Sequence, residues 1–278
     1  MNEARNDISP EMALSHLQWL EAMGADEAVG EAPRDYLAEA PPSPSPQAEK
    51  ASLKPNLVRQ PLNAPAKTPP SAMTPLADRS ADAEAAIAAA RTSAASCQDL
   101  AALTQALMQF EACPLSRTAS KLAFLDGAEH PEILIIGDTP AREDDREGLA
   151  FAGPEGRLLD RMLQAIGHDR QTCLLSNLVF WHPPGRRLPT EAELAMCEPY
   201  LLRLIELAKP KAILGLGNLV VQRFIEPNGG IKKLRGQWAQ VQNIPLLCTW
   251  HPRELLQTSA FKADAWKDLQ ILKAKLNV

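Results

Sequence analysis

From residue 131 onward, short apolar runs alternate with stretches whose apolar residues recur every three or four positions. The runs EILIIG (132–137), CLLSNLVF (173–180), KAILGLG (211–217) and IPLLCTW (244–250) are short, continuous and bounded by polar residues, Gly or Pro, a pattern that predicts buried strands. Between them, GRLLDRMLQAIG (156–167), EAELAMCEPYLLRLIELA (191–208) and NLVVQRFI (218–225) carry helical periodicity, and a last helix is expected at about 261–275. Thr190 and Glu193 stand at capping-box spacing at the start of the second of these helices. Strand–helix alternation of this kind predicts a three-layer α/β/α domain around a central, mainly parallel four-stranded sheet. In such sheets ligands bind at the carboxyl ends of the strands.

The N-terminal half has a different pattern. Residues 10–23 predict a short helix, with Ser9 as N-cap and Pro10 in the first helical position. Its broad apolar side fits docking onto its own domain or binding to a protein partner. Ten of the 24 prolines fall between positions 41 and 75, so this stretch is expected to be a disordered linker with polyproline character. Two further helices are expected at about 80–95 and 98–110. The expected organisation is an N-terminal helical segment (1–40), a Pro-rich linker (41–80) and one α/β domain (81–278).

Composition narrows the possibilities. No run approaches the roughly 20 apolar residues of a membrane span, and the first residues lack the basic start and apolar core of a signal peptide. A soluble, cytoplasmic protein is expected. The five cysteines are odd in number and none forms Cys-x-x-Cys, which argues against a disulfide framework or an obvious zinc site. Net charge is −5, but residues 1–130 carry −7 and residues 131–278 carry +2. Charge alone therefore does not point to nucleic acid.

The strand ends carry the candidate chemistry. The first ends in Gly137-Asp138-Thr139-Pro140, the second carries Asn177 and runs on to Trp181-His182-Pro183-Pro184-Gly185, the third ends in Gly215-Leu216-Gly217 and the fourth in Trp250-His251-Pro252. The third strand end stands directly before a helix N-terminus, whose free N–H groups can hold an anion. Each residue alone has an ordinary structural use; together they mark one edge of the sheet as a site.

Residues 113–272 resemble the uracil-DNA glycosylase superfamily in its bacterial family 4 form. The resemblance rests on GDTPA, Asp144-Asp145, GLAFAG, GRLLDRML, the Asn of SNLVF, the Pro-Pro-Gly of WHPPGRR, PTEAELAMC, the Lys-Pro-Lys before the third strand, LRGQW and His-Pro followed by leucines, in order and at fitting spacing. It implies a monofunctional enzyme that hydrolyses the N-glycosidic bond of uracil in DNA. Phe151 would stack on the flipped base and Asn177 would read its edge, beside Gly137 and Thr139. Asp138 would favour positive charge on the sugar and position the attacking water, and His251 would donate to uracil O2. Pro183, Pro184, Gly215 and Gly217 would press on the DNA backbone, Lys232, Lys233, Arg235 and Arg253 would add phosphate contacts, and Leu255 would fill the gap in the duplex. A monomer acting on uracil-containing DNA is expected.

Departures from the pattern are specific. Asp138 stands where the family has Glu, Ala141 where it has Gly, and Arg253 where it has a small residue. The family holds a [4Fe–4S] cluster on four cysteines; the matching positions here are Phe110, Cys113, Trp181 and Cys197, so no cluster and no other metal is expected. The Trp-x-Pro-Pro-Gly form is similar to a cluster-free branch with an N-terminal extension. These departures keep open a weak or non-catalytic relative that binds DNA or a repair partner, and the modest charge keeps open an enzyme acting on a free nucleoside or nucleotide.

Overall fold

The structure, a computed structural model, describes residues 14–15 and 76–276. Most of the expected 10–23 helix and of the linker lies outside these residues. Leu14 and Ser15 are helical, and the Ser15 hydroxyl donates to the carbonyl of Ala165, 2.9 Å away.

Helix α1 (Leu76–Ser96) starts earlier than the expected residue 80 or so and is followed by α2 (Leu100–Met108). Asp99 begins α2 by accepting the N–H of Ala102 at 2.7 Å, an N-cap that satisfies one free amide of the first turn. Strands β1 (Asp126–Gly127) and β2 (Ile133–Gly137) come next, then α3 (Arg142–Glu147), α4 (Pro154–Ala165) and β3 (Cys173–Asn177). Helix α5 (Glu191–Ala208) leads to β4 (Ala212–Leu216), α6 (Asn218–Phe224), α7 (Ile231–Leu234), β5 (Trp238–Val241) and β6 (Ile244–Thr249). Helices α8 (Pro252–Gln257) and α9 (Lys262–Leu276) complete the domain.

The sheet order is β1-β3-β2-β4-β6-β5. The four strands expected from the apolar runs form its parallel centre, and every residue of β2, β3 and β4 is buried. Burial on both faces is what continuous apolar runs require, and helices supply the cover. Two short antiparallel edges, β1 on β3 and β5 on β6, extend the four-stranded expectation to six. The second apolar run ends as a strand at Asn177, not at residue 180.

Strand register aligns the carboxyl ends. Gly137 pairs with Asn177, Ile136 with Gly215, and Leu216 with Thr249. The chain leaves β2 toward β3 on one side and returns to β4 on the other, so the crevice between β2 and β4 is the topological switch point.

Candidate active site

Asp138 leaves β2 at this crevice. Its Oδ1 accepts the N–H groups of Leu219 (3.1 Å) and Val220 (3.3 Å), in the first turn of α6. The anion expected at this helix N-terminus is thus the chain's own carboxylate. Gly217, at φ +98°, precedes the helix, and a Cβ there would stand 2.4 Å from Asp138 Oδ2. Burial pushes the Asp138 carboxyl up to about 7; the Val220 amide opposes the rise, Glu254 adds to it, and Arg253 and the Leu219 amide pull it down.

The stretch after Asp138 builds a loop around Phe151. Buried Asp144 accepts the N–H groups of Ala141 (2.9 Å) and Ala152 (2.8 Å), tying together the two ends of that loop. Asp145 accepts Ser120 N–H at 2.7 Å and anchors it to the preceding segment. Phe151 itself is left-handed, at φ +57°, a conformation that costs a non-glycine residue about 1–3 kcal/mol. Its carbonyl accepts Arg170 Nη2 at 2.8 Å, and a Cβ on Gly156 would collide with that oxygen at 1.7 Å. Arg170 is held in turn by Asp160 at 2.8 Å and by Asp126. Gly137 admits the Phe151 ring: a Cβ there would lie 2.5 Å from both the ring Cζ and Asn177 Oδ1.

His251 stacks on Phe151, with ring centroids 5.7 Å apart and planes inclined by 25°. Its Nδ1 accepts the backbone N–H of Arg253 at 3.2 Å, and the His251 backbone N–H donates to Glu254 Oε2 at 3.2 Å. A neutral imidazole accepting at Nδ1 carries its proton on Nε2. Burial, followed by the Arg253 charge, pushes the His251 pKa down to about 3, so this neutral form holds across the physiological range. Nε2 is buried without a partner, and so is Asn177 Nδ2. Each such group costs about 1–3 kcal/mol if left unsatisfied. Two of them on residues that neighbour one aromatic ring mark a site that a flat, polar-edged ligand would complete.

Beside these residues lies a cleft of about 300 Å³ whose lining includes Thr139, Ala141, Glu155, His182, Pro183 and Arg253. The Arg253 guanidinium forks onto Glu155, at 2.8 and 3.1 Å, and reaches the Thr139 carbonyl at 3.5 Å. Glu155 Oε2 stands 3.8 Å from His251 Nδ1. Sequence reasoning missed Glu155 and Arg170; the unexplained Arg253 was the available hint that an acid stands nearby.

Residues 124–270 match the family described as the uracil DNA glycosylase superfamily, over more than half of the chain. The chain belongs to this superfamily. The type-4 uracil-DNA glycosylase of Pyrobaculum aerophilum is 30% identical over 180 residues, covering 62% of this chain and 91% of the relative. That of Thermotoga maritima is 32% identical over 150 residues, covering 52% and 77%, and that of Archaeoglobus fulgidus 27% over 176 residues, covering 60% and 88%.

Several residues that the superfamily resemblance assigned to DNA contact are placed elsewhere. Gly215 lies inside β4, where a Cβ would meet Val220 Cγ1 at 2.7 Å and Cys248 Sγ at 2.8 Å; it serves packing. Gly217 is buried against Asp138. Arg235 forks onto Asp268, at 2.8 and 2.9 Å, and ties the end of α7 to α9. Leu255 is 0% exposed in the core, and its neighbour Leu256 is 53% exposed. The packing of Leu255 thus leaves it no free surface, whereas Leu256 faces solvent. Pro183 is buried; Pro184, Lys232 and Lys233 are exposed.

The four positions that the family 4 resemblance matches to cluster ligands hold two thiols and two aromatic rings. Cys113 and Cys197 are fully buried and hydrogen-bond each other, which lowers the Cys113 pKa, whereas burial raises that of Cys197. Phe110 packs on Tyr200 at 5.4 Å, and Trp181 on Phe180 at 6.2 Å. The Cys97 thiol donates to the Ser93 carbonyl. These residues do not fit a four-cysteine cluster, and among the described residues no group of three or more His, Cys, Asp or Glu side chains is arranged to hold a metal ion.

Proposed function

We propose that this chain is a monofunctional uracil-DNA glycosylase that works without an iron–sulfur cluster. The observation that carries the reading is the pair of unpartnered buried groups, Asn177 Nδ2 and His251 Nε2, on two side chains that both neighbour Phe151. The names of the type-4 relatives support the same assignment.

In this reading a uracil turned out of the DNA stack enters beside Phe151, against a cost of a few kcal/mol. Stacking on the ring contributes about 1–3 kcal/mol. The Asn177 amide supplies both a donor and an acceptor, matching the edge of uracil and mismatching cytosine. Breakage of the bond to deoxyribose leaves negative charge on the base, and the neutral His251 Nε2–H is a fixed donor to O2 as that charge develops. Asp138, when ionised, favours the positive charge on the sugar and orients water. Pro184, Lys232, Lys233 and Leu256 are the exposed groups available to the DNA. No helix among the described residues is long and apolar enough to cross a membrane, and a cytoplasmic monomer is proposed.

One observation favours a second reading. Asp138 already satisfies two amides of α6, and burial raises its pKa to about 7, which leaves about half of it protonated at neutral pH; this suits a protein that binds uracil-containing DNA and releases base slowly or not at all. An end-labelled oligonucleotide with one uracil, followed by alkaline cleavage, decides between them. Release by the wild type and a large loss in Asp138→Ala and His251→Ala support the enzyme. Binding with no release, on single and double strands at excess protein, supports the second reading.

A further inference from the structure

Arg253 is a large cation where the superfamily resemblance expects a small residue, and Glu155 is an acid that no expectation had placed. They meet as a forked ion pair at 2.8 and 3.1 Å, in a partly shielded position. The pair sits on the side of His251 away from its unpartnered Nε2. Glu155 Oε2 is 3.8 Å from Nδ1, the nitrogen that accepts the Arg253 backbone N–H.

A lone carboxylate at that distance favours the protonated imidazolium. A proton on Nδ1 would face the Arg253 N–H, donor against donor, and break the cap that orients the ring. The other charged groups nearby are Glu254, on α8, which accepts the His251 backbone N–H, and Asp138, at the end of β2, which lies close enough to both Glu254 and Arg253 to feel their charges. Phe151 covers one ring face and brings no charge. Arg253 is the single cation in this set.

We propose that Glu155 and Arg253 act as positioning residues for His251: the guanidinium cancels the carboxylate at Nδ1, so the imidazole stays neutral with its proton on Nε2, facing the base. The inference rests on reading His251 as the donor to the base, yet the state of the ring can be measured in the free protein. Burial is the larger downward push on His251, and the Arg253 charge adds to it in the direction the proposal requires.

The test uses the full-length protein with isotopically labelled histidine. The chain has five histidines, and His251→Gln assigns the relevant signal. In the wild type, the ring nitrogens report the neutral form with the proton on Nε2 at pH 5–8. Arg253→Gln is expected to raise the His251 titration by at least about one unit, the ordinary effect of an uncompensated charge at this distance. The double variant Glu155→Gln/Arg253→Gln returns it, and Arg253→Lys leaves it unshifted. Arg253→Met, which keeps the apolar stem, repeats the charge removal should Arg253→Gln not fold.

An unshifted His251 in both Arg253→Gln and Arg253→Met overturns the proposal, as does a shift that the double variant fails to reverse. A raised KM and weaker salt dependence with His251 unshifted would make Arg253 a phosphate contact instead. Expected shifts without base release by the wild type would sink the glycosylase reading and leave the ion-pair inference standing.

Discussion

Gly217 provides the space that the Asp138 carboxylate occupies. A methyl group at Gly217 would come within 2.4 Å of Oδ2, and the backbone there, at φ +98°, is one that side-chain-bearing residues avoid. Gly217→Ala is therefore expected to destabilise the fold by about 1–3 kcal/mol and to displace the carboxylate. A displacement on the order of 1 Å costs about 10²-fold in rate. Urea unfolding and single-turnover base release measure the two effects separately.

The position of Asp138 also sets a pH dependence. Its folded-state pKa is about 7, against 3.8 for an ordinary aspartate, and the proposed chemistry needs the ionised form. Single-turnover base release should rise as pH passes through about 7, with no opposing loss from His251, which is already neutral. Stability runs the other way. A raised carboxyl pKa gives a contribution fully present below 3.8 and lost as pH rises through about 7. Asp138→Asn should abolish the pH-dependent rise in rate and raise the thermal midpoint relative to the wild type at pH 8.

The neighbouring leucines of α8 separate packing from DNA contact. Leu255→Ala removes a fully buried side chain and should cost about 2–5 kcal/mol of stability. Leu256→Ala should leave the unfolding midpoint nearly unchanged, because the side chain is exposed. It should lower base release from double-stranded DNA more than from single strands, where no gap needs filling. Parallel assays on the two substrates check this.

Arg235 offers a contrast with the exposed lysines before it. Asp268, its partner, is almost fully buried and also accepts the Thr249 hydroxyl at 2.6 Å. Arg235→Ala strands that carboxylate and should destabilise the domain by about 3–5 kcal/mol, with no change in the salt dependence of DNA binding. Lys232→Ala/Lys233→Ala should do the reverse, leaving stability intact and flattening the salt slope by up to about one unit per lost phosphate contact.

The parts legible in the sequence were those with a strong local signal. The apolar runs gave the parallel centre of the sheet because strands buried on both faces need no alternation. The capping box at Thr190 marked the start of α5, where the reciprocal hydrogen bonds are present. Edge strands β1 and β5 were illegible: one is two residues long and the other four, half-exposed. Helices α3, α7 and α8 are too short to show a period. At the candidate site, residue types pointed to the edge of the sheet where the strand ends align, but partners did not follow from spacing. Arg235 finds Asp268 and Arg253 finds Glu155 across sequence distances that only the folded chain closes. Leu255 and Leu256 differ only in which side of one short helix they occupy.

The residues around the pocket come from different strands: Asp138 follows β2, Asn177 ends β3, Gly217 follows β4 and His251 follows β6. Every neighbouring pair is separated by a crossover or a long loop, whose closure costs entropy before any contact offsets it. During synthesis, then, the emerging polypeptide cannot bring these four residues together until its last core strand is docked, and under the proposed function a chain arrested before β6, lacking His251, should release no base. Recovery of base release after dilution from denaturant would time the final event of folding, in a way that spectroscopic signals from the earlier helices cannot.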